Sequence, residues 1–96
     1  MAGISVSSMA YFVYILESLS TGRYYVGQTY DLPKRLSEHN GLLAGHTRKE
    51  QPWKVVWTLE VGTRKEAMNL EKKIKRRGAK RFLQDIRHQQ PGSVTP

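Results

Sequence analysis

The hydrophobic residues of this chain form short runs that are separated by polar and glycine-containing segments. Runs rich in β-branched and aromatic residues predict strands at residues 11–16, 23–29 and 53–61. The polar residues at 18–22 are typical of a turn, so the first two strands should form a β-hairpin.

Helices are predicted where apolar residues recur every three or four positions and follow a residue that can cap the start of a helix. Asp31 is a favourable N-cap, and Thr63 with Glu66 matches a capping box. Gly78 interrupts the apolar spacing and should end the longest helix. The predicted helices cover residues 32–40, 64–77 and 80–87.

The order ββαβαα predicts an α+β fold, a small three-stranded antiparallel sheet flanked by helices. A chain of 96 residues has room for one domain, which we place at residues 11–87 between a flexible leader, 1–10, and a flexible tail, 88–96. No apolar run approaches the roughly 18 residues that span a bilayer. The chain contains no cysteine, which excludes disulfides and thiolate metal sites. We therefore expect a cytoplasmic protein without membrane association.

The charge of the chain changes this picture, because 16 Lys and Arg face 8 Asp and Glu and give a net charge of +8. Such an excess favours a polyanionic partner through the release of counterions. General solubility accounts for the total equally well, so the positions of the charges matter more than their sum.

Glu71 is a charged residue at an unexpected position, next to the buried face of a predicted helix. Ala67, Leu70 and Ile74 mark the buried face of its helix, and Glu71 lies on or at the edge of that face. A carboxylate there costs free energy unless it is paired or binds a cation. One interpretation is an ion pair with an arginine of a neighbouring element. The other is a ligand for Mg²⁺ or Mn²⁺.

Arg35 and His39 lie four residues apart on the first predicted helix, so both project from one stripe. A guanidinium suits a phosphate, and an imidazole suits proton transfer near neutral pH. The alternative interpretation is a solvated pair on the helix surface.

Two tyrosines of the hairpin can form a third pair. If its loop comprises residues 18–21, Tyr14 and Tyr25 are direct cross-strand neighbours on one face. Cross-strand packing explains two such rings, although their hydroxyls also require polar surroundings. Gly27 falls on the same face, and a glycine within a strand often marks close approach of a ligand or another backbone.

The order and spacing of these residues resemble the GIY-YIG nuclease domain, in its compact stand-alone (UPF0213/URI-like) branch. The resemblance covers residues 11–82. The second motif of that domain is matched by Tyr25-Val26-Gly27, and the first reads Phe12-Val13-Tyr14, in which the glycine is replaced. The run from Arg35 to Asn40 and the run from Glu71 to Lys75 look like that branch as well.

The resemblance implies an endonuclease that hydrolyses DNA phosphodiester bonds with one divalent ion, Mg²⁺ or Mn²⁺. It implies that Glu71 holds the metal and that Arg35 neutralises charge on the phosphoryl oxygens. Tyr14 would activate the attacking water, and Tyr25 would orient water or phosphate. A tyrosine base needs a lowered pKa, which Arg35 or the metal would supply. His39 is the alternative base or relay.

The expected partner is DNA, with branched or single-stranded DNA included and RNA as an alternative. The basic residues expected to contact its phosphates are Arg48, Lys49, Lys72, Arg76 and Lys80. A monomer is expected rather than an oligomer, and a role in DNA repair or recombination is suggested by association alone.

Two further interpretations remain open. The first is a catalytically weak nucleic-acid-binding module that keeps the fold and its basic face. The second is a protein-interaction domain that uses Trp57 or the last helix. Many GIY-YIG domains also carry an asparagine near their end. This chain has none after Asn69, and a glutamine would have to replace it, for which the candidates are Gln84, Gln89 and Gln90.

Overall fold

The computed structural model describes residues 10–41 and 44–88 and confirms the α+β fold. Three antiparallel strands form one sheet in the order β2-β1-β3, so β1 lies at its centre. Within the described residues, no helix is both long and apolar enough to cross a membrane. The elements are β1 (Tyr11–Ser18), β2 (Tyr24–Thr29), α1 (Leu32–His39), a 3-10 helix (Gly45–Glu50), β3 (Trp53–Val61), α2 (Arg64–Arg77) and α3 (Ala79–His88).

The first described strand begins at Tyr11, and the last described helix ends at His88. Ala10, which we assigned to the leader, is buried, and α3 continues one residue beyond its predicted end, to His88. The rest of the predicted leader and tail, residues 1–9 and 89–96, lies outside the described residues.

The helix ends follow the capping residues seen in the sequence. The Asp31 side chain accepts a hydrogen bond from the Lys34 backbone N–H at 3.1 Å and starts α1. Thr63 and Glu66 form the complete capping box at the start of α2. Gly78 adopts a φ of 96°, a conformation that favours glycine, and it separates α2 from α3. These local signals therefore placed the helices correctly.

The hairpin register differs from the prediction. Tyr14 pairs with Gly27, and Tyr25 pairs with Leu16, so the two tyrosines are not direct cross-strand neighbours. The hydrogen bond that closes the hairpin encloses residues 19–22, which moves the pairing by two positions relative to a loop at 18–21. Because side chains alternate with a period of two, this shift leaves both tyrosines on the same face.

The sheet buries a hydrophobic cluster on each face. One cluster packs against α2 and α3, and it is centred on Val13, Ile15, Val26, Ala67 and Ile74. The other packs against α1, and it contains Tyr14, Leu16 and Trp53 with the partly buried Tyr25, Leu32, Leu36 and Val55. The predicted site residues of the hairpin therefore lie on the α1 side.

A β-bulge in β3 distributes the two tryptophans between these clusters. Leu16 pairs with Val55 and Ile15 pairs with Trp57, which leaves Val56 without a partner on β1. Trp53 therefore packs in the cluster on the α1 side, whereas Trp57 packs in the other cluster. Both tryptophans therefore pack against the sheet, but they lie on opposite faces.

The segment between α1 and β3, predicted as a loop, contains the 3-10 helix and is tied closely to its neighbours. The Asn40 side chain accepts from the Trp53 backbone N–H at 2.7 Å and donates to the Trp53 carbonyl at 3.0 Å. The Gln51 amide donates to the carbonyl oxygens of His39 at 2.9 Å and Gly41 at 2.7 Å. These bonds hold the C-terminal end of α1 against the start of β3.

Candidate active site

Tyr14 lies at the centre of the candidate site. Its side chain is fully buried, and the ring lies against the backbone of Gly27 on the neighbouring strand. The Tyr14 hydroxyl oxygen is 3.4 Å from Nε2 of His39, and hydrogen bonding by Arg35 lowers the pKa of the same hydroxyl. Gly27 thus marks a close approach, as predicted, but the approaching group is the Tyr14 ring.

His39 is buried between the hairpin and the 3-10 helix. Its Nδ1 lies 3.2 Å from the hydroxyl oxygen of Thr47, and its ring centroid lies 4.6 Å from that of Tyr25. The Tyr14 and Tyr25 rings are nearly parallel, at 19°, with centroids 6.4 Å apart. His39 is therefore not the solvated surface residue of the alternative interpretation. The sequence contains no signal that places Thr47 beside it.

Arg35 keeps one part of its guanidinium at the surface. Its Nε donates to the Glu38 carboxylate at 3.1 Å, and its side chain is 40% exposed. Burial lowers the pKa of Arg35, but the hydrogen bond to Tyr14 and the negative charge of Glu38 raise the pKa above its ordinary value. The group stays charged, and its exposed part is accessible to an anion.

Glu71 on α2 acts on the Tyr14 hydroxyl through its charge. Its carboxylate lies 2.8 Å from the ammonium of Lys75, one turn further along α2, so the neighbouring arginine considered from the sequence is not its partner. The Glu71 side chain is 20% exposed, and its negative charge raises the pKa of the Tyr14 hydroxyl. The carboxylate is therefore within electrostatic reach of Tyr14.

The donor set fits a hydrated magnesium ion. Within the described residues, no group of three or more His, Asp or Glu side chains comes together. Mg²⁺ is commonly held by one or two carboxylates, together with waters and substrate phosphates. Glu71 provides one partly exposed carboxylate, which suits that kind of site provided that Lys75 moves aside.

The protonation of Tyr14 differs from the expectation that Arg35 makes it acidic. Burial raises the pKa of Tyr14 to about 12, from an ordinary value of 10.0. The Arg35 hydrogen bond and charge lower this pKa, whereas the charges of Tyr25 and Glu71 raise it. Burial outweighs Arg35 because the phenolate loses more hydration than one guanidinium restores. At neutral pH, Tyr14 is therefore a protonated hydroxyl.

The raised pKa of Tyr14 predicts a specific loss of stability at high pH. In the unfolded chain the phenol ionises near 10, so its contribution to stability is fully present below pH 10 and is lost as pH rises to about 12. Chemical denaturation from pH 9 to 12 should show that the wild type loses more stability than Tyr14→Phe. Equal losses in the two proteins would contradict a raised pKa.

The predicted DNA-contacting residues are all exposed. Lys72 and Arg76 lie one turn apart on α2, and within the described residues neither forms an ion pair. Lys80 lies on α3, beyond the helix break at Gly78, so it does not share a helix with Lys72 and Arg76. Arg48 and Lys49 lie on a different element, the 3-10 helix.

Only one of the glutamines considered as replacements for a late asparagine lies within the described residues. Gln84 is exposed on α3, and Gln89 and Gln90 lie outside the described residues. Among the predicted catalytic residues, His39 contacts the Tyr14 hydroxyl, Arg35 and Glu71 act on its pKa, and Tyr25 packs beside its ring.

Comparison with known proteins supports the resemblance to the GIY-YIG domain. The family model of the GIY-YIG catalytic domain matches residues 10–84. A UPF0213 protein of Streptococcus pneumoniae is 37% identical over 67 residues, which cover 69% of this chain and 67% of that protein. A UPF0213 protein of Halobacterium salinarum is 41% identical over 64 residues, which cover 66% and 82%.

A solved structure supports the same assignment. The solution NMR structure of a UPF0213 protein from Bacillus halodurans matches with a TM-score of 0.52 and 32% sequence identity. The match covers 84% of this chain and 86% of that one. The family model extends from the start of β1 into α3, so it includes every predicted catalytic residue. The chain therefore belongs to the GIY-YIG family of nuclease domains.

Proposed function

We propose that this protein is a DNA endonuclease that hydrolyses phosphodiester bonds with one divalent metal ion, Mg²⁺ or Mn²⁺. The observation that carries the proposal is the convergence of charged and proton-handling groups on one hydroxyl. His39 contacts the Tyr14 hydroxyl, and Arg35 and Glu71 both act on the pKa of that hydroxyl. These groups come from β1, α1 and α2, so the fold itself assembles them.

In this proposal, Glu71 holds the ion and Arg35 binds the scissile phosphate. The ion, when bound, withdraws charge from the phosphate and stabilises the leaving oxygen. Arg35 neutralises the charge that accumulates on the phosphoryl oxygens, and its exposed guanidinium can reach them. Its effect on the pKa of Tyr14 supports a phosphate position near the group that handles the proton.

Tyr14 and His39 handle the proton of the attacking water. Because Tyr14 is protonated at neutral pH, it can take up a proton only if it passes its own to a neighbour. Nε2 of His39, at 3.4 Å, is in place to receive that proton. Tyr25 packs against both rings and restricts their movement.

The exposed basic residues complete the proposed interface with DNA. Lys72 and Arg76 on α2 would bind backbone phosphates, as would Arg48, Lys49 and Lys80 elsewhere on the surface. Phosphate contacts of this kind carry no sequence information, so we propose cleavage that follows DNA structure, with branched or single-stranded sites included. We propose a cytoplasmic monomer that acts in this way.

A second candidate function is a nucleic-acid-binding module with weak catalysis. The ion pair between Glu71 and Lys75 favours it, because an ammonium at 2.8 Å competes with a metal ion for the carboxylate. The raised pKa of Tyr14 favours it as well, because the phenolate is scarce at neutral pH.

A plasmid-nicking assay separates the two functions. With Mg²⁺ or Mn²⁺, the wild-type protein should nick supercoiled DNA, and chelation should stop the reaction. Arg35→Ala should lower the rate about 100-fold to 1,000-fold, the cost of losing one donor to a developing oxyanion. Lys34→Ala removes an exposed charge from the same helix and should leave the rate within a few-fold of wild type.

Salt-sensitive DNA binding without metal-dependent nicking would instead establish the binding module. Equal nicking by wild type and Arg35→Ala, in preparations free of contaminating nuclease, would contradict the proposed mechanism.

A further inference from the structure

A chain of hydrogen bonds runs from Tyr14 through His39 to the 3-10 helix. The Tyr14 hydroxyl lies 3.4 Å from Nε2 of His39. Nδ1 of His39 lies 3.2 Å from Oγ1 of Thr47, and that hydroxyl lies 3.1 Å from the carbonyl oxygen of Ala44. The three contacts join side chains and backbone from three separate segments.

The Ala44 end of this hydrogen-bond chain has a fixed polarity. A backbone carbonyl can only accept hydrogen bonds. Thr47 therefore donates its one hydroxyl proton to Ala44, and its oxygen accepts from Nδ1–H of His39. At the other end, Nε2 of His39 then has no proton and can accept one from the Tyr14 hydroxyl at 3.4 Å.

The two ends agree on one protonation state of His39. An imidazole that donates from Nδ1 and accepts at Nε2 is neutral and in the Nδ1–H tautomer. We propose that Thr47 is a positioning residue that holds His39 in this tautomer, so that Nε2 is the proton acceptor for Tyr14.

Thr47 is itself held in place for this role. It is buried, and its carbonyl oxygen accepts a hydrogen bond from the indole N–H of Trp53 at 2.9 Å. Trp53 lies at the start of β3 and belongs to the same cluster as Tyr14. The sheet that carries Tyr14 therefore also fixes the position of the Thr47 backbone.

The tautomer has a direct consequence for the reaction, and this consequence rests on the proposed nuclease function. As water attacks phosphorus, one water proton passes to the Tyr14 oxygen, and the Tyr14 proton passes to Nε2 of His39. The hydroxide oxygen forms the new P–O bond as the leaving oxygen departs with its electron pair. His39 becomes an imidazolium, whose Nδ1–H still donates to Thr47. The opposite tautomer would present an N–H to Tyr14 and could not accept the proton.

Nitrogen NMR of the histidine side chains tests the tautomer without any activity measurement. In ¹⁵N-labelled wild-type protein near neutral pH, His39 should show a protonated Nδ1 and an unprotonated Nε2, with His39→Gln used to assign the signals. Thr47→Ser retains the hydroxyl and should give the same pattern. Thr47→Val removes it at similar volume and should shift His39 towards the Nε2–H tautomer. An Nε2–H tautomer or an imidazolium in the wild type would overturn the proposal.

Cleavage rates then test whether the tautomer matters for catalysis. Thr47→Val should lower the rate about 10-fold to 100-fold, the range found when a group that orients a functional histidine is removed. Thr47→Ser should restore it. Equal rates for Thr47→Val and wild type, both folded, would overturn the catalytic role of Thr47. If Thr47→Val does not fold, the wild-type and Thr47→Ser spectra still decide the tautomer. If the wild type does not cleave DNA, the nuclease proposal fails, and the spectra still decide whether Thr47 positions His39.

Discussion

Glu71→Gln should abolish metal-dependent DNA cleavage while the protein remains folded. The substitution keeps the size of the side chain but removes the negative charge that would hold the ion. Metal ions stabilise phosphoryl-transfer transition states by several kcal/mol, so the rate should fall at least about 100-fold. The measurement is nicking of supercoiled plasmid at saturating Mg²⁺ and at saturating Mn²⁺, with thermal unfolding followed in parallel.

Glu60→Gln provides the matched control for this substitution. Glu60 is exposed on β3, and the same chemical change there should leave cleavage and stability unaltered. Lys75→Met adds a second comparison, because it removes the ammonium that lies 2.8 Å from the Glu71 carboxylate. If Glu71 binds the ion, less metal should be needed for half-maximal cleavage by Lys75→Met. Full activity of Glu71→Gln would rule out Glu71 as the metal ligand.

Gly27→Ala should damage both stability and activity, although it adds a single methyl group. A Cβ at this position would lie 2.5 Å from the Tyr14 hydroxyl oxygen and 2.7 Å from Cζ of the same ring. The ring is fully buried and cannot move away without disturbing its cluster. Overpacking of this kind costs about 1–3 kcal/mol. The displaced hydroxyl should also lose its alignment with His39 and Arg35, and cleavage should fall at least tenfold.

Thermal unfolding and nicking rates measure the two effects of Gly27→Ala. A loss of 1 kcal/mol lowers Tm by roughly 4–8 °C in a domain of this size. Gly62→Ala is the control, since its Cβ would meet its nearest atom at an ordinary 3.5 Å. In the Tyr14→Phe background, where the closest atom is missing, Gly27→Ala should cost less stability. An unchanged Tm and rate for Gly27→Ala would show that the Tyr14 ring is not confined as the structure indicates.

Local signals in the sequence were sufficient to predict the elements of the fold. Asp31, Thr63 and Glu66 cap their helices as expected, and Gly78 separates α2 from α3. These features depend on residues within a few positions of each other, so their spacing can be read directly. The same is true of β3, whose bounds match the prediction.

The hairpin register could not be predicted in the same way. It depends on which residues the closing hydrogen bond encloses, and several polar residues in this turn offer alternatives. The shared face of Tyr14 and Tyr25 survived the error because the register moved by an even number of residues. An odd shift would have directed Tyr25 to the opposite face.

The candidate site residues could be named from the sequence, but their contacts could not. Arg35, His39 and Glu71 were recognised from spacing and from family resemblance, and their relation to Tyr14 emerges from the fold. Thr47 was missed because its segment has no periodicity, and its position depends on bonds to Trp53 and Ala44. The raised pKa of Tyr14 was missed for a related reason, since the depth of its burial depends on the packing of α1 over the sheet.

Because one residue of β3 is unpaired, the number of residues in this strand determines which face of the sheet each later side chain takes. Val56 lets Trp53 and Trp57 face opposite sides of the sheet, where Trp57 meets the edge of Phe82 with ring centroids 4.9 Å apart. Deleting Val56 would invert the orientation of every later residue in the strand. Trp57 would then compete with Trp53 and Tyr14 for space already filled. Within this strand, changes of residue type should therefore be tolerated more readily than a change in residue number.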